Sequence, residues 1–273
     1  VQIWNNKGSA LSALGRSDEA IHCYDQALAK NPRFAMALDN KARELMVRGN
    51  HQEALRCYDR VLSTEPQYAE AWQGRGSVLT KLERHEEALK CYDKALVIDP
   101  KLANGWHNRG LSLLALNRDV EALESFDRAL AINPRLTVAL DRKAVALAAL
   151  ERYAEAILCF EQALALNAEN ANSWLILAQC RWAIGDNAGQ AKALEEARKR
   201  DAGGASEDSF ERGFAFYEAG NFQEAMRCYD AALAAGGKNP DILTNKGAAL
   251  MALGRESEAI ACFEETLSLQ PEN

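Results

Sequence analysis

Residues 69–102 read AEAWQGRGSVLTKLERHEEALKCYDKALVIDPKL, and residues 103–136 read ANGWHNRGLSLLALNRDVEALESFDRALAINPRL. Set one under the other, they match at Trp72 and Trp106, Gly76 and Gly110, Ala88 and Ala122, Tyr92 and Phe126, and Pro100 and Pro134, each pair 34 residues apart. Outward from there, Pro32 and Pro66 extend the series, Pro271 joins it after one inserted residue, and Pro240 alone falls elsewhere. Repeats numbered 1 to 34 start at residues 1, 35, 69, 103, 137, 171, 206 and 240, which leaves one residue near 205 unassigned out of 273. A fixed period of this length marks a stacked repeat architecture rather than one globular core.

Residues that did not define the frame confirm it. Position 8 is always Gly or Ala, position 20 is Ala in seven repeats, and position 24 is aromatic in seven. Trp4, Trp72, Trp106 and Trp174 all hold position 4. Positions 4, 7, 8 and 11 lie on one face of a first helix, and positions 20, 24, 27 and 28 lie on one face of a second. Gly15, Gly49, Gly185, Gly220 and Gly254 fall between them, where a left-handed residue ends a helix. The small residue at position 8 is expected to let two helix backbones approach closely.

This pattern of small 8, Ala 20, aromatic 24 and Pro 32 closely resembles the tetratricopeptide repeat family, over the whole chain. The resemblance implies an all-α fold, an α-solenoid of antiparallel helix pairs wound as a right-handed superhelix, with first helices lining a concave groove. One hairpin buries too little to fold alone, so stability is expected to be a sum of local terms along the stack.

The chain carries 32 basic and 39 acidic residues, a net charge of -7, which gives nucleic acid no broad attraction. No apolar run approaches the length of a membrane helix, and the start lacks the pattern of a signal peptide. The expectation is a cytoplasmic protein with no nucleic-acid or membrane partner. Because it begins Val1-Gln2-Ile3-Trp4, it is also expected to be a piece of a longer protein.

Six of the seven cysteines, Cys23, Cys57, Cys91, Cys159, Cys228 and Cys262, sit at position 23, spaced about one helix pair apart and too far for disulfides. They are expected to be packed, reduced thiols with no basic neighbour at a fixed spacing. The four histidines, His22, His51, His85 and His107, show no metal-ligand spacing, and no phosphate loop or nucleophile motif occurs. No metal, no cofactor and no catalytic site are expected.

Repeat 6 is the degenerate unit, with Arg181, Gln190, Leu194 and Arg198 at positions that elsewhere pack. The Gly-rich junction 201–205 after it divides the chain into 1–205, repeats 1–6, and 206–273, repeats 7–8, with a bend expected between them. Asn239 and Pro240 are placed to cap and start the last first helix.

In the family, positions 2, 5, 6, 9, 12 and 13 face the groove. Asn6, Asn40 and Asn108 at position 6 form a partial amide ladder, similar to that of the repeat portion of O-linked N-acetylglucosamine transferases, which Gly74, Arg142 and Ile176 interrupt. No three successive repeats match the carboxylate clamp of heat-shock co-chaperones. A second candidate set is apolar: Leu175 and Trp182 with Gln179 in repeat 6, and Phe210, Phe214 and Tyr217 in repeat 7, rimmed by Glu207, Glu211 and Glu218. The function these residues imply is a non-catalytic scaffold that binds a protein or peptide, with a basic amphipathic helix as candidate partner. Two alternatives remain: a solenoid that self-associates through uncapped terminal repeats, and the substrate-selecting arm of a longer enzyme.

Overall fold

Every first helix begins at position 1 to 4 of its repeat and every second helix near position 17, as the periodicity of the packing residues dictates. A computed structural model describes residues 1–200, 209–218, 220–236 and 239–269. Among the described residues the fold is sixteen α-helices without a strand. The pairs are α1 (Gln2–Ala13) with α2 (Ser17–Lys30), α3 (Ala35–Val47) with α4 (His51–Thr64), α5 (Ala69–Lys81) with α6 (His85–Ile98), and α7 (Ala103–Ala115) with α8 (Asp119–Ile132). They continue as α9 (Thr137–Ala149), α10 (Tyr153–Leu166), α11 (Ala171–Ala183), α12 (Asn187–Arg200), α13 (Ser209–Glu218), α14 (Phe222–Gly236), α15 (Pro240–Ala252) and α16 (Glu256–Leu269). The chain is an α-solenoid of antiparallel helix pairs, in two compact units, Val1–Ala146 and Leu147–Asn273. The Gly-rich junction and the bend expected there lie outside the described residues.

The turn inside each hairpin needs one left-handed residue. Gly15, Gly49, Gly185, Gly220 and Gly254 supply it, while Glu83, Asn117 and Glu151 adopt φ of 60°, 56° and 59° in the other three repeats. Four of the links between hairpins are Asx turns: the side chains of Asn31, Asp99, Asn133 and Asn167 accept hydrogen bonds from the backbone N–H two residues on. Three first helices also lock onto the link before them, because Trp72, Trp106 and Trp174 donate Nε1–H to the carbonyls of Pro66, Pro100 and Ala168 at 2.9, 3.0 and 2.9 Å. Asn239 accepts from the N–H groups of Asp241 and Ile242 and Pro240 opens α15, as the sequence indicates.

The small residue at position 8 has a different cause from the expected approach of two backbones. A Cβ on Gly76 would stand 2.6 Å from the Tyr92 ring, and one on Gly110 would stand 2.6 Å from Phe126. The aromatic at position 24 of the same hairpin is seated directly on the glycine. Tyr24, Tyr92, Phe126 and Tyr229, each on a glycine, are fully buried by this packing, and Tyr58 and Phe160, whose hairpins carry Ala42 and Ala144 at position 8, are fully buried as well.

Polar contacts also stitch successive hairpins, in a pattern not singled out from the sequence. A basic residue at position 7 reaches the acid at position 25 of the preceding repeat: Lys41 to Asp25 at 2.9 Å, Arg75 to Asp59 and Arg109 to Asp93 at 2.8 Å, and Lys143 to Asp127 and Lys246 to Asp230 at 2.6 Å. Arg75 also donates to Cys91 Sγ at 3.1 Å, so this thiol has a basic neighbour where none was expected. Burial nevertheless dominates and pushes the Cys57, Cys91 and Cys262 thiols up, and Cys180 to about 11. All seven cysteines are buried, and none forms a disulfide.

Candidate partner-binding face

Neighbouring first helices touch one another, α1 with α3, α3 with α5 and α5 with α7 in the first unit, and α11 with α13 and α13 with α15 in the second. Among the described residues no two second helices do. The first-helix side is therefore the inner side of each unit's curvature, and the candidate site residues are judged by where they fall on it.

In the first unit the amide ladder is partly engaged already. Asn6 is exposed, and its Oδ1 accepts from Gln2 Nε2 at 3.3 Å. Asn40 and Asn108 are half-buried: Asn40 Nδ2 donates to Asn5 Oδ1 at 3.0 Å and Asn108 Nδ2 donates to Ser77 Oγ at 3.3 Å, both across the seam to the preceding repeat. Gly74 interrupts the ladder for a steric reason: a Cβ there would run into the hydroxyl end of the buried Tyr58 ring. Arg142 is exposed, and its charge acts on His107.

Position 5 does not open onto the groove in repeats 1, 2, 4 and 6. Asn5, Asp39, His107 and Leu175 are buried there, in the seam between adjacent first helices. Burial and the Arg142 charge hold His107 down to about 4, so it is neutral at physiological pH. Burial pushes the Asp39 carboxyl up, Glu70 adds to that, and Arg43, 3.0 Å away, opposes it. A third buried polar group is a hydroxyl chain from Tyr92 through Thr80 to Ser112, at 3.0 and 3.1 Å.

In the second unit the structure corrects the apolar set. Leu175, expected to face a partner, is 2% exposed and belongs to the core with Phe216 and Tyr229. Phe210 and Tyr217 are half-buried, their rings 6.1 Å from Tyr229 and 5.4 Å from Phe222. Gln179 is half-buried. Trp182 and Phe214 do stand out, 50% and 43% exposed, and every other aromatic side chain of the chain is buried or half-buried. Glu218 is exposed beside them in sequence; Glu207 and the side chain of Glu211 lie outside the described residues.

Among the described residues no three His, Cys, Asp or Glu side chains converge on a point that could hold a metal ion, and no helix is long and apolar enough to cross a membrane.

Stacked hairpins with an aromatic seated on a small residue and an Asx-Pro turn between units define a helical repeat scaffold. Models of the tetratricopeptide repeat match residues 1–34, 40–103, 103–136, 142–205 and 210–273, and the chain belongs to this family. Similar solved structures include a tetratricopeptide repeat protein of Parabacteroides merdae, 21% identical, with a TM-score of 0.68 over 91% of this chain and 98% of that one. Pseudomonas aeruginosa pilF is 20% identical with a TM-score of 0.68, over 81% and 96%. YrrB, described as a TPR protein with an unusual peptide-binding site, is 22% identical with a TM-score of 0.56, over 65% and 91%. At these identities the likeness is one of fold. No curated protein matches the sequence.

Proposed function

We infer that the chain is a non-catalytic interaction scaffold whose inner face takes a segment of a partner protein, with Trp182 and Phe214 as the anchors. One observation carries this reading: the two exposed aromatics of the chain stand on adjacent first helices, α11 and α13, that pack together. Rings left in water on neighbouring helices are typical of a binding patch. The peptide-binding site ascribed to YrrB supports the same use of the fold. Glu218 at the edge favours a basic amphipathic helix, which would lay its apolar stripe over the two rings. Burying each ring is worth roughly 1.5–3 kcal/mol, enough for micromolar affinity once association costs are met.

The test uses an 18-residue amphipathic helix of Leu and Lys and its Leu and Glu counterpart, titrated against the chain. The Lys peptide binds more tightly, and Trp182→Ala and Phe214→Ala each weaken it about tenfold without changing the melting temperature. Binding that neither substitution affects rejects the site. Asn6, Asn40, Asn108 and Arg142 belong to the same inner side in the first unit, and there the proposal is that an extended peptide backbone meets Asn6 Nδ2, the amide oxygens of Asn40 and Asn108, and the Arg142 guanidinium.

A further inference from the structure

A cleft recurs on the other side of the first helices, between the second helices of successive repeats and floored by the Trp at position 4. At Trp72 it encloses about 300 Å³ and at Trp106 about 420 Å³, and both are lined by charge: Asp59, Arg75, Glu87 and Lys90 in the one, Asp93, Arg109, Glu124 and Arg128 in the other. At Trp174 it encloses about 280 Å³ and its character changes. Leu177 replaces the basic residue of position 7, Ala193 replaces the Cys or Ser of position 23, and Gly189 stands where Glu87 stands in repeat 3. Together with Leu164 and Ala165 they make a mainly apolar chamber. A Cβ on Gly189 would meet the flexible ends of the Arg181 and Asp186 side chains and would have to displace them. Four departures of repeat 6, Leu177, Arg181, Gly189 and Ala193, thus line one cavity.

Its polar groups are unequal. Arg181 pairs with Glu161 at 2.5 Å and Asp186 at 3.1 Å, yet its Nε is buried with no acceptor among the described residues. Lys192, exposed at the chamber, enters no ion pair among them. The site has donors to spare and an apolar interior sized at the low end of ligand pockets, room for one side chain rather than a cofactor. We propose that this chamber receives a single large apolar side chain from an acidic segment of a partner protein, whose carboxylates and carbonyls meet Lys192 and Arg181. It uses a different stripe of α11 from the one that carries Trp182, and the two sites are independent.

The probes are three short peptides added to the 273-residue chain: Ac-Glu-Phe-Glu-NH2, Ac-Gln-Phe-Gln-NH2 and Ac-Glu-Gly-Glu-NH2, followed by methyl NMR. The first shifts the methyls of Leu164, Leu177 and Ala193; the second binds about fivefold more weakly, the value of one exposed charge pair; the third gives no shift there. Lys192→Gln brings Ac-Glu-Phe-Glu-NH2 down to the affinity of the Gln peptide, Lys192→Glu weakens it further, Lys192→Arg retains it, and Ala193→Leu, which fills the chamber, abolishes both. Trp182→Ala changes none of these, which separates this site from the inner face. If Ala193→Leu fails to fold, the exposed Lys192→Glu variant decides alone. Absence of shifts at millimolar peptide, equal binding of all three, or indifference to Lys192→Glu overturns the proposal.

Discussion

Arg181 Nη2 lies 2.5 Å from Glu161 Oε1, and the pair is made from position 11 because Leu177 fills position 7. At five other junctions the acid of position 25 meets a Lys or Arg from position 7 of the next repeat. Repeat 6 keeps the charge contact and moves its source by one turn of helix. Arg181→Leu should then cost about 0.5–1 kcal/mol, since both carboxylates it serves are partly exposed. Leu177→Lys replaces a side chain that is 1% exposed and should be destabilising alone, but combined with Arg181→Leu it should show a favourable coupling of about 0.5–1 kcal/mol in a double-mutant cycle read from urea midpoints. Additive effects would show that Arg181 is no replacement for the regular partner.

That exchange shows where the sequence was legible and where it was not. The 34-residue period placed the helix pairs and the capping of α15 correctly, because packing residues recur with the helix period. The acid at position 25 and the base at position 7 recur just as plainly in the sequence, and the missing step was to compare positions across a junction rather than within a helix. Leu175 was misplaced for a deeper reason. Helical spacing fixes the direction of a side chain around one helix but not how close the neighbouring helix comes, so a seam position and an open groove position read alike. Trp182 and Phe214, at positions 12 and 9, are the two of the set that stand in solvent, 50% and 43% exposed.

Two buried groups in the first unit give opposite responses to pH. His107 is held near 4, below its ordinary 6.5, so its stabilising neutral form is fully present above pH 6.5 and is lost as the pH falls toward 4. His107→Gln should remove up to about 3 kcal/mol of that acid sensitivity, measured as the change in denaturation midpoint between pH 7 and pH 4.5. Asp39 has a raised value, so its contribution is present at low pH and is lost as the pH rises through its folded value. Asp39→Asn should stabilise the chain at pH 7, by an amount that shrinks on acidification. The same pH slope in wild type and both variants would contradict the burial of these groups.

Glu83 and Glu151 occupy the left-handed turn position that glycine fills in five repeats, at φ of 60° and 59°. A left-handed residue with a side chain costs about 1–2 kcal/mol, against about 0.5–1 kcal/mol for the extra freedom of glycine in the unfolded chain. Glu83→Gly should therefore raise stability by about 0.5–1 kcal/mol, and Gly49→Glu at the matching turn should lower it by a similar amount. Thermal or urea unfolding of the two variants gives the sign directly. Equal effects of the same sign would mean that the turn tolerates either residue without strain.

Gly74 breaks the amide ladder, and the obvious repair is Gly74→Asn, which would align four amides from Asn6 to Asn108. The structure predicts that the repair fails. The Tyr58 ring is fully buried, and its hydroxyl end occupies the space that a Cβ on residue 74 needs. With Ala42 rather than glycine at position 8 of its own hairpin, the ring leans toward the next repeat instead. Forcing extra atoms into a packed site of this kind costs about 1–3 kcal/mol. Gly74→Asn should lose that much, and Tyr58→Phe in the same chain should return part of it by removing the oxygen nearest the new side chain. Tyr58→Phe in the parent chain, which removes the hydroxyl's hydrogen bond with Arg43, should cost about 0.5–1.5 kcal/mol, so the rescue is read as a difference from that value. Were Gly74→Asn as stable as the parent, the ring would have an alternative seat, and the break in the ladder would have to be explained by the partner rather than by packing.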